Sequence, residues 1–175
     1  MKVLVSGVVH VDYGQIMVQS DRDAECDLHD AFTGQEGVGL CGGGIDGSLL
    51  LLTGLWVGGV GFTAELHDSR PELDEAWDEI VEVPFRPVSG ETVLRQWNGA
   101  ASWELGLEER DYRVRYSATA MDAGRSKNVR EDDEPQTDDR YLLQFWPAAL
   151  EPARLLKQTG RSAASSHKFA TAPVG

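Results

Sequence analysis

Cysteine, proline, long apolar runs and positive charge are all scarce in this 175-residue chain, and each scarcity removes a class of protein. Two cysteines, Cys26 and Cys41, are too few for a disulfide scaffold. Both are expected as thiols in a reducing compartment, with a Cys26–Cys41 bridge as the alternative. Seven prolines, with 41% hydrophobic and 26% charged residues, describe a globular chain rather than a disordered or collagen-like one. The opening Met1–His10 carries one lysine, a break at Gly7 and a polar His10, too short and too mixed for the apolar region of a signal peptide. The stretch 48–62 is interrupted by Thr53 and by glycines, well short of the roughly 20 apolar residues that span a bilayer. A soluble, cytoplasmic protein without a membrane partner is the expectation.

Lysine and arginine number 16 against 29 aspartates and glutamates, a net charge of −13. The imbalance sits in residues 1–150, because the last 25 residues hold four bases and one acid. Residues 65–82 hold eight acids and one base, and residues 122–139 seven acids and three bases. Such a surface repels nucleic-acid phosphates and attracts basic proteins. Direct nucleic-acid binding is therefore not expected.

What the chain has in quantity is two-residue alternation. In Tyr112–Met121, Tyr112, Val114, Tyr116, Ala118 and Ala120 alternate with Arg113, Arg115, Ser117 and Thr119, the pattern of a half-buried strand. Similar patterns run through Phe62–Leu66, Val81–Phe85, Trp103–Leu107 and Tyr141–Trp146. Val3–Val11 and Gln15–Gln19 flank Asp12-Tyr13-Gly14, a tight turn, and Leu49–Thr53 follows Asp46-Gly47, whose glycine can take the positive φ a turn requires. Pro84 inside a strand points to an edge position. Short strands with regular turn signals give an all-β fold, an antiparallel β-sandwich or barrel-like meander.

Helix is expected in two short places. Ser69–Trp77 has a capping serine, a proline in its first turn, and Leu73 and Trp77 four apart. Glu151–Lys157 is the second, with Leu155 and Leu156 docking on the sandwich. From Thr159 the chain has little to bury and reads as a flexible basic tail. The organisation is thus one β-sandwich domain over 1–150, then a short helix and a poorly ordered tail over 151–175.

Sites of chemistry are weakly marked. Gly37-Val38-Gly39-Leu40-Cys41-Gly42 matches the dinucleotide fingerprint by letter, but a polar stretch precedes it and Gly42-Gly43-Gly44 cannot open a helix, so a connector needing positive φ is the better reading. His10 with Asp12, His29-Asp30 and His67-Asp68 supply ligand types without metal-site spacing, and no metal or cofactor is expected. Cys41 is the one nucleophile worth testing, and acidic surroundings disfavour its thiolate. No catalytic residue is assigned. Of Trp56, Trp77, Trp97, Trp103 and Trp146, most should be core, and one or two exposed beside the acidic segments would be interface anchors.

Three segments resemble the competence protein J family, small acidic proteins that inhibit a DNA-entry nuclease. Val11–Val18, with Tyr13-Gly14-Gln15, is similar to the family's early strand. Glu79–Phe85 resembles its Val-x-Val-Pro-Phe strand, and Leu105–Arg115 its Gly-Asp-Tyr turn and strand. The similarity spans roughly residues 8–146, and the chain departs from the family at the glycine-rich 37–47 and after Trp146-Pro147. The resemblance implies a non-catalytic inhibitor of a nuclease or similar toxin.

The expected function is accordingly an acidic protein that binds a basic partner such as a nuclease, occupying its DNA cleft as a phosphate mimic. The contact candidates are Glu72, Asp74, Glu75 and Asp78 with Glu131, Asp132, Asp133 and Glu134. The alternative is a small-ligand-binding or hydrolytic sandwich in which Gly37–Gly47 is a lid over carboxylates. A third reading leaves the negative charge to solubility alone.

Overall fold

The computed structural model describes residues 1–134 and 139–171, and these form two packed β-sheets with three helices. The six-stranded sheet has the order β1 (Lys2–Val11), β5 (Gly58–Leu66), β10 (Arg140–Pro147), β9 (Tyr112–Thr119), β6 (Glu79–Phe85), β11 (Arg154–Lys157). The five-stranded sheet has the order β3 (Cys41–Gly42), β4 (Ser48–Leu52), β2 (Gln15–Gln19), β7 (Val93–Gln96), β8 (Ser102–Glu104). All pairings are antiparallel except β5 with β10. The expected β-sandwich is the observed fold.

Alternation explains the core. Val60, Phe62 and Ala64 of β5, Val81, Val83 and Phe85 of β6, Val114, Tyr116 and Ala118 of β9, and Leu143 and Phe145 of β10 meet Ile16, Val18, Leu49, Leu51 and Leu94 of the other sheet in one apolar cluster. The β1–β2 turn is as tight as its sequence suggests: Gln15 N–H donates to the Asp12 carbonyl at 3.1 Å, and Tyr13 and Gly14 have φ of 55° and 62°. Positive φ at both central positions matches the twist of the flanking strands. Gly47 likewise has φ 72° ahead of β4.

The other face of β9 departs from the half-buried expectation. Arg113, Arg115 and Ser117 point away from the core, yet all three are buried, and the segments before β6 and after β10 lie over the two arginines. The helix expected over Ser69–Trp77 is not formed. The carbonyls of Pro71 and Glu72, which a helix would use internally, accept instead from Arg115 Nη1 at 3.2 and 3.0 Å.

The helix expected over Glu151–Lys157 is a strand. β11 pairs Arg154 with Glu82 and Leu155 with Val81, satisfying the flank of β6, and Leu155 and Leu156 remain exposed rather than docked. β6 is consequently not an edge strand, although its ladder with β11 ends at Glu82 and Pro84 lies beyond it. Within the stretch expected as a tail, residues 161–171 form α3 (Arg161–Thr171), and residues 172–175 lie outside the described part. Asp122 of α2 (Met121–Lys127) starts α3, its two carboxylate oxygens accepting from the N–H groups of Ser162 and Arg161 at 2.7 and 3.0 Å. Ala163 is buried in the core, and Phe169 packs edge-on against Phe32, next to α1 (Leu28–Ala31).

α3 also accounts for the glycine-rich stretch. Gly39 N–H donates to His167 Nδ1 at 2.8 Å, and a Cβ at Gly39 would collide with the Ser166 backbone. Gly37 and Leu40 have φ of 75° and 69°, as a connector needing positive φ requires. With Val38–Gly42 buried, this part of the stretch is packed interior rather than a lid.

Candidate protein-binding surface

The two acidic segments are distant in sequence, and α2 brings them to its two ends. At its start, Asp78 Oδ2 accepts from the Ala120 N–H at 2.9 Å and from Thr119 Oγ1 at 2.7 Å, tying the first segment to the helix. At its end, Lys127 Nζ pairs with the Glu134 carboxylate, tying in the second. Seven residues of helix span about 10 Å.

The eight candidates therefore divide. Asp78 and Glu134 have partners within the chain: the Ala120 N–H and Thr119 hydroxyl hold the Asp78 carboxyl below its ordinary value, and Lys127 does the same for Glu134. Glu72, Asp74, Glu75, Glu131, Asp132 and Asp133 are exposed. Asp74 also accepts from the Ala76 N–H at 2.9 Å, which shapes the loop the expected helix would have occupied.

Beside the second acidic segment stands an aromatic cluster that charge patterning does not reveal. The Trp56 N–H donates to the Asn128 carbonyl at 2.9 Å, and the Arg130 N–H to the Val57 carbonyl at 2.9 Å, so Trp56 adjoins the chain leading into Glu131. The Tyr13 ring sits edge-on to Trp56 at 5.6 Å and to Trp97 at 4.7 Å. The three are 50%, 49% and 42% exposed, a large share for residues of this size. Trp146, by contrast, is buried. The signal for Tyr13 was local: a two-residue turn forces a bulky residue to its tip. A non-glycine residue at positive φ is held there only by its surroundings, here the Gly14 N–H to Trp56 carbonyl bond of 2.8 Å and the Thr53 N–H to Gly14 carbonyl bond of 2.9 Å.

A groove of about 390 Å³ is lined by Tyr13 and Trp56 together with Arg125 and Asn128 and with Phe169 of α3. Aromatic rings that expose both apolar area and a polar edge are the residues that concentrate binding energy at protein interfaces.

The nucleophile and metal candidates lie elsewhere. Cys41 is fully buried and its thiol is pushed up by that burial, while burial together with Asp27 and Asp30 pushes Cys26 up to about 11. Both cysteines are free thiols. His10 lies 3.6 Å from Asp12, His67 2.8 Å from Glu65, and His29 against the Phe169 ring. Among the described residues no three or more His, Cys, Asp or Glu side chains are grouped to hold a metal ion, and no helix is long and apolar enough to cross a membrane.

The two sheets define the fold class as a β-sandwich. Solved structures with this architecture include ComJ of Bacillus subtilis, an inhibitor of the DNA-degrading activity of NucA. It superposes with a TM-score of 0.56 at 13% identity, over 84% of this chain and 98% of ComJ. The product of crocagin biosynthetic gene J superposes with a TM-score of 0.50 at 17% identity, over 85% of this chain and 98% of that one. The resemblance to the competence protein J family seen in the sequence is thus supported at the level of the fold. No protein-family model matches the sequence, and no curated protein matches it either.

Proposed function

We propose that this chain is a non-catalytic acidic binding protein that inhibits, or gives immunity to, a DNA-degrading nuclease. The carrying observation is that the two acidic segments flank one seven-residue helix, beside the exposed Tyr13, Trp56 and Trp97. The ComJ-like fold lends support, since ComJ is itself a nuclease inhibitor. A nuclease that grips DNA presents a positive cleft. Six exposed carboxylates on the two acidic segments can enter such a cleft as DNA phosphates would, speeding encounter, while the aromatic rings supply the apolar contact that slows release. The encounter is placed in a reducing compartment such as the cytoplasm, where Cys26 and Cys41 stay thiols.

The test is inhibition. Titrated into the DNA-degrading nucleases of the organism that makes it, the chain is expected to suppress DNA cleavage stoichiometrically. Trp56→Ala with Tyr13→Ala should weaken the complex by about 2 kcal/mol or more, chiefly through faster release, with the circular dichroism of the fold unchanged. Full inhibition by both variants would remove the aromatic patch from the interface, and failure to inhibit any of these nucleases would end the proposal.

A further inference from the structure

The outer face of the six-stranded sheet carries a second feature, of opposite charge. Register places Arg154 of β11, Glu82 of β6, Arg115 of β9, Gln144 of β10 and Glu65 of β5 in one row across the sheet. Glu82 is buried and serves three guanidiniums: Arg115 Nη2 at 2.9 Å, Arg70 Nη2 at 3.1 Å and Arg113 Nε at 3.4 Å. The Arg115 guanidinium lies over the Trp146 ring, 5.2 Å from its centre.

Arg113 is 3% exposed. Its Nη1 donates to the carbonyls of Glu151 and Pro152 at 2.7 and 2.9 Å, but its Nη2, fully buried, has no hydrogen-bond partner among the described residues. A buried guanidinium N–H without an acceptor is costly, and native proteins seldom leave one so. Arg113 lines a cavity of about 190 Å³ together with Arg70, Glu82, Trp146, Glu151 and Arg154. Arg70 and Arg154 are half-exposed, and Arg154 Nη2 is held at 2.9 Å by Glu151 Oε2.

The charges in and immediately behind this cavity are four guanidiniums, of Arg70, Arg113, Arg115 and Arg154, against the carboxylates of Glu82 and Glu151. Two positive charges are left over on a chain whose net charge is −13. We infer that this cavity binds a phosphate group, with Arg70 and Arg154 as its donors and the buried Arg113 guanidinium as a fixed positive charge in its wall. A phosphate near neutral pH carries about −1.5 to −2 and offers several strong acceptor oxygens, which matches the two-charge excess. Arginine forks are the side chains suited to that recognition. The cavity lies below the roughly 300–1,000 Å³ of sites that enclose a whole drug-sized ligand, so the group recognised is a single phosphate, free or at the end of a monoester. The site adjoins the segment that carries Glu72, whose carbonyl accepts from Arg115 Nη1, but the inference does not depend on the inhibitor proposal.

The experiment is an NMR titration of the full chain that follows the arginine Nε–Hε signals, with inorganic phosphate, phosphoserine and acetate as separate probes at matched ionic strength. Phosphate is expected to shift the Arg113 signal saturably, with acetate at least about tenfold weaker. Binding of both phosphate and phosphoserine supports recognition of a monoester, and binding of phosphate alone supports a site for the free ion. Arg70→Ala and Arg154→Ala, both at half-exposed positions whose fold the same spectra verify, should each weaken phosphate about five- to tenfold, and Glu151→Gln, which removes a competing carboxylate, should tighten it. No saturable shift, equal affinity for acetate, or equal affinity in the wild type and both arginine variants would overturn the inference.

Discussion

Glu82 is the side chain on which the outer face of the large sheet depends. It lies in β6 with its carboxylate turned away from the apolar core, and the segment at 70–72 and β9 converge on it. Burial alone would raise its carboxyl, but the hydrogen bonds and charge of Arg115, helped by Arg70, outweigh burial and hold it below the ordinary glutamate value. Burial draws Arg113 downward, yet a guanidinium keeps its proton, so removing Glu82 would leave two buried cations uncompensated. Glu82→Ala is therefore expected to cost about 3–5 kcal/mol in urea unfolding at pH 7, far more than the loss of an exposed ion pair. The stability Glu82 contributes is present above its unfolded value, near 4.3, and disappears as the pH falls through its lowered folded value. The gap between wild type and Glu82→Ala should hence be wide at pH 7 and narrow in strong acid, which unfolding at the two pH values measures.

At the scale of elements, α3 shows how a segment with little to bury is kept in place. Its sequence, Arg161–Thr171, is rich in serine and alanine, and its own propensity and apolar surface are modest. Contacts from distant elements hold it: the Asp122 cap from α2, the Gly39 N–H to His167, and Phe169 against Phe32. Asp122→Ala is expected to remove about 1 kcal/mol, the usual worth of an N-cap, and to speed hydrogen exchange across 161–171 while leaving β9 and β10 protected. The two backbone N–H groups of α3 hold the Asp122 carboxyl below its ordinary value. The cap's contribution is thus full above about 3.9 and fades as the pH drops through the lowered folded value. Exchange in α3 should rise in acid before exchange in the sheets does, and simultaneous loss would show that Asp122 is not what holds the helix.

For the whole molecule the relevant quantity is the field of a chain with net charge −13, to which the exposed Glu72, Asp74, Glu75, Glu131, Asp132 and Asp133 contribute. Reversing Glu72, Glu75, Glu131, Asp132 and Asp133 to lysine should slow association with a basic nuclease by about tenfold or more at low salt. The difference should shrink toward 1 M salt, where the screening length is about 3 Å against about 10 Å at 0.1 M. Stopped-flow association rates at several salt concentrations check this, and rates indifferent to both reversal and salt would leave the acids to solubility alone.

Two-residue periodicity, turn glycines and composition made much of this protein legible in its sequence. The strands β1, β2, β4, β5, β6, β9 and β10, the Asp12-Tyr13-Gly14 turn, the positive φ within the glycine-rich stretch and the acidity follow from local chemistry, since alternation and steric freedom are properties of neighbouring residues. Tertiary structure decided the rest. It made Arg113 and Arg115 interior residues, turned 154–157 into a sheet strand, left 69–77 without a helix, docked α3 and set Tyr13 against two tryptophans. In each of these the partner lies tens of residues away or more, and a buried charge or a strand flank takes its conformation from whichever distant group satisfies it.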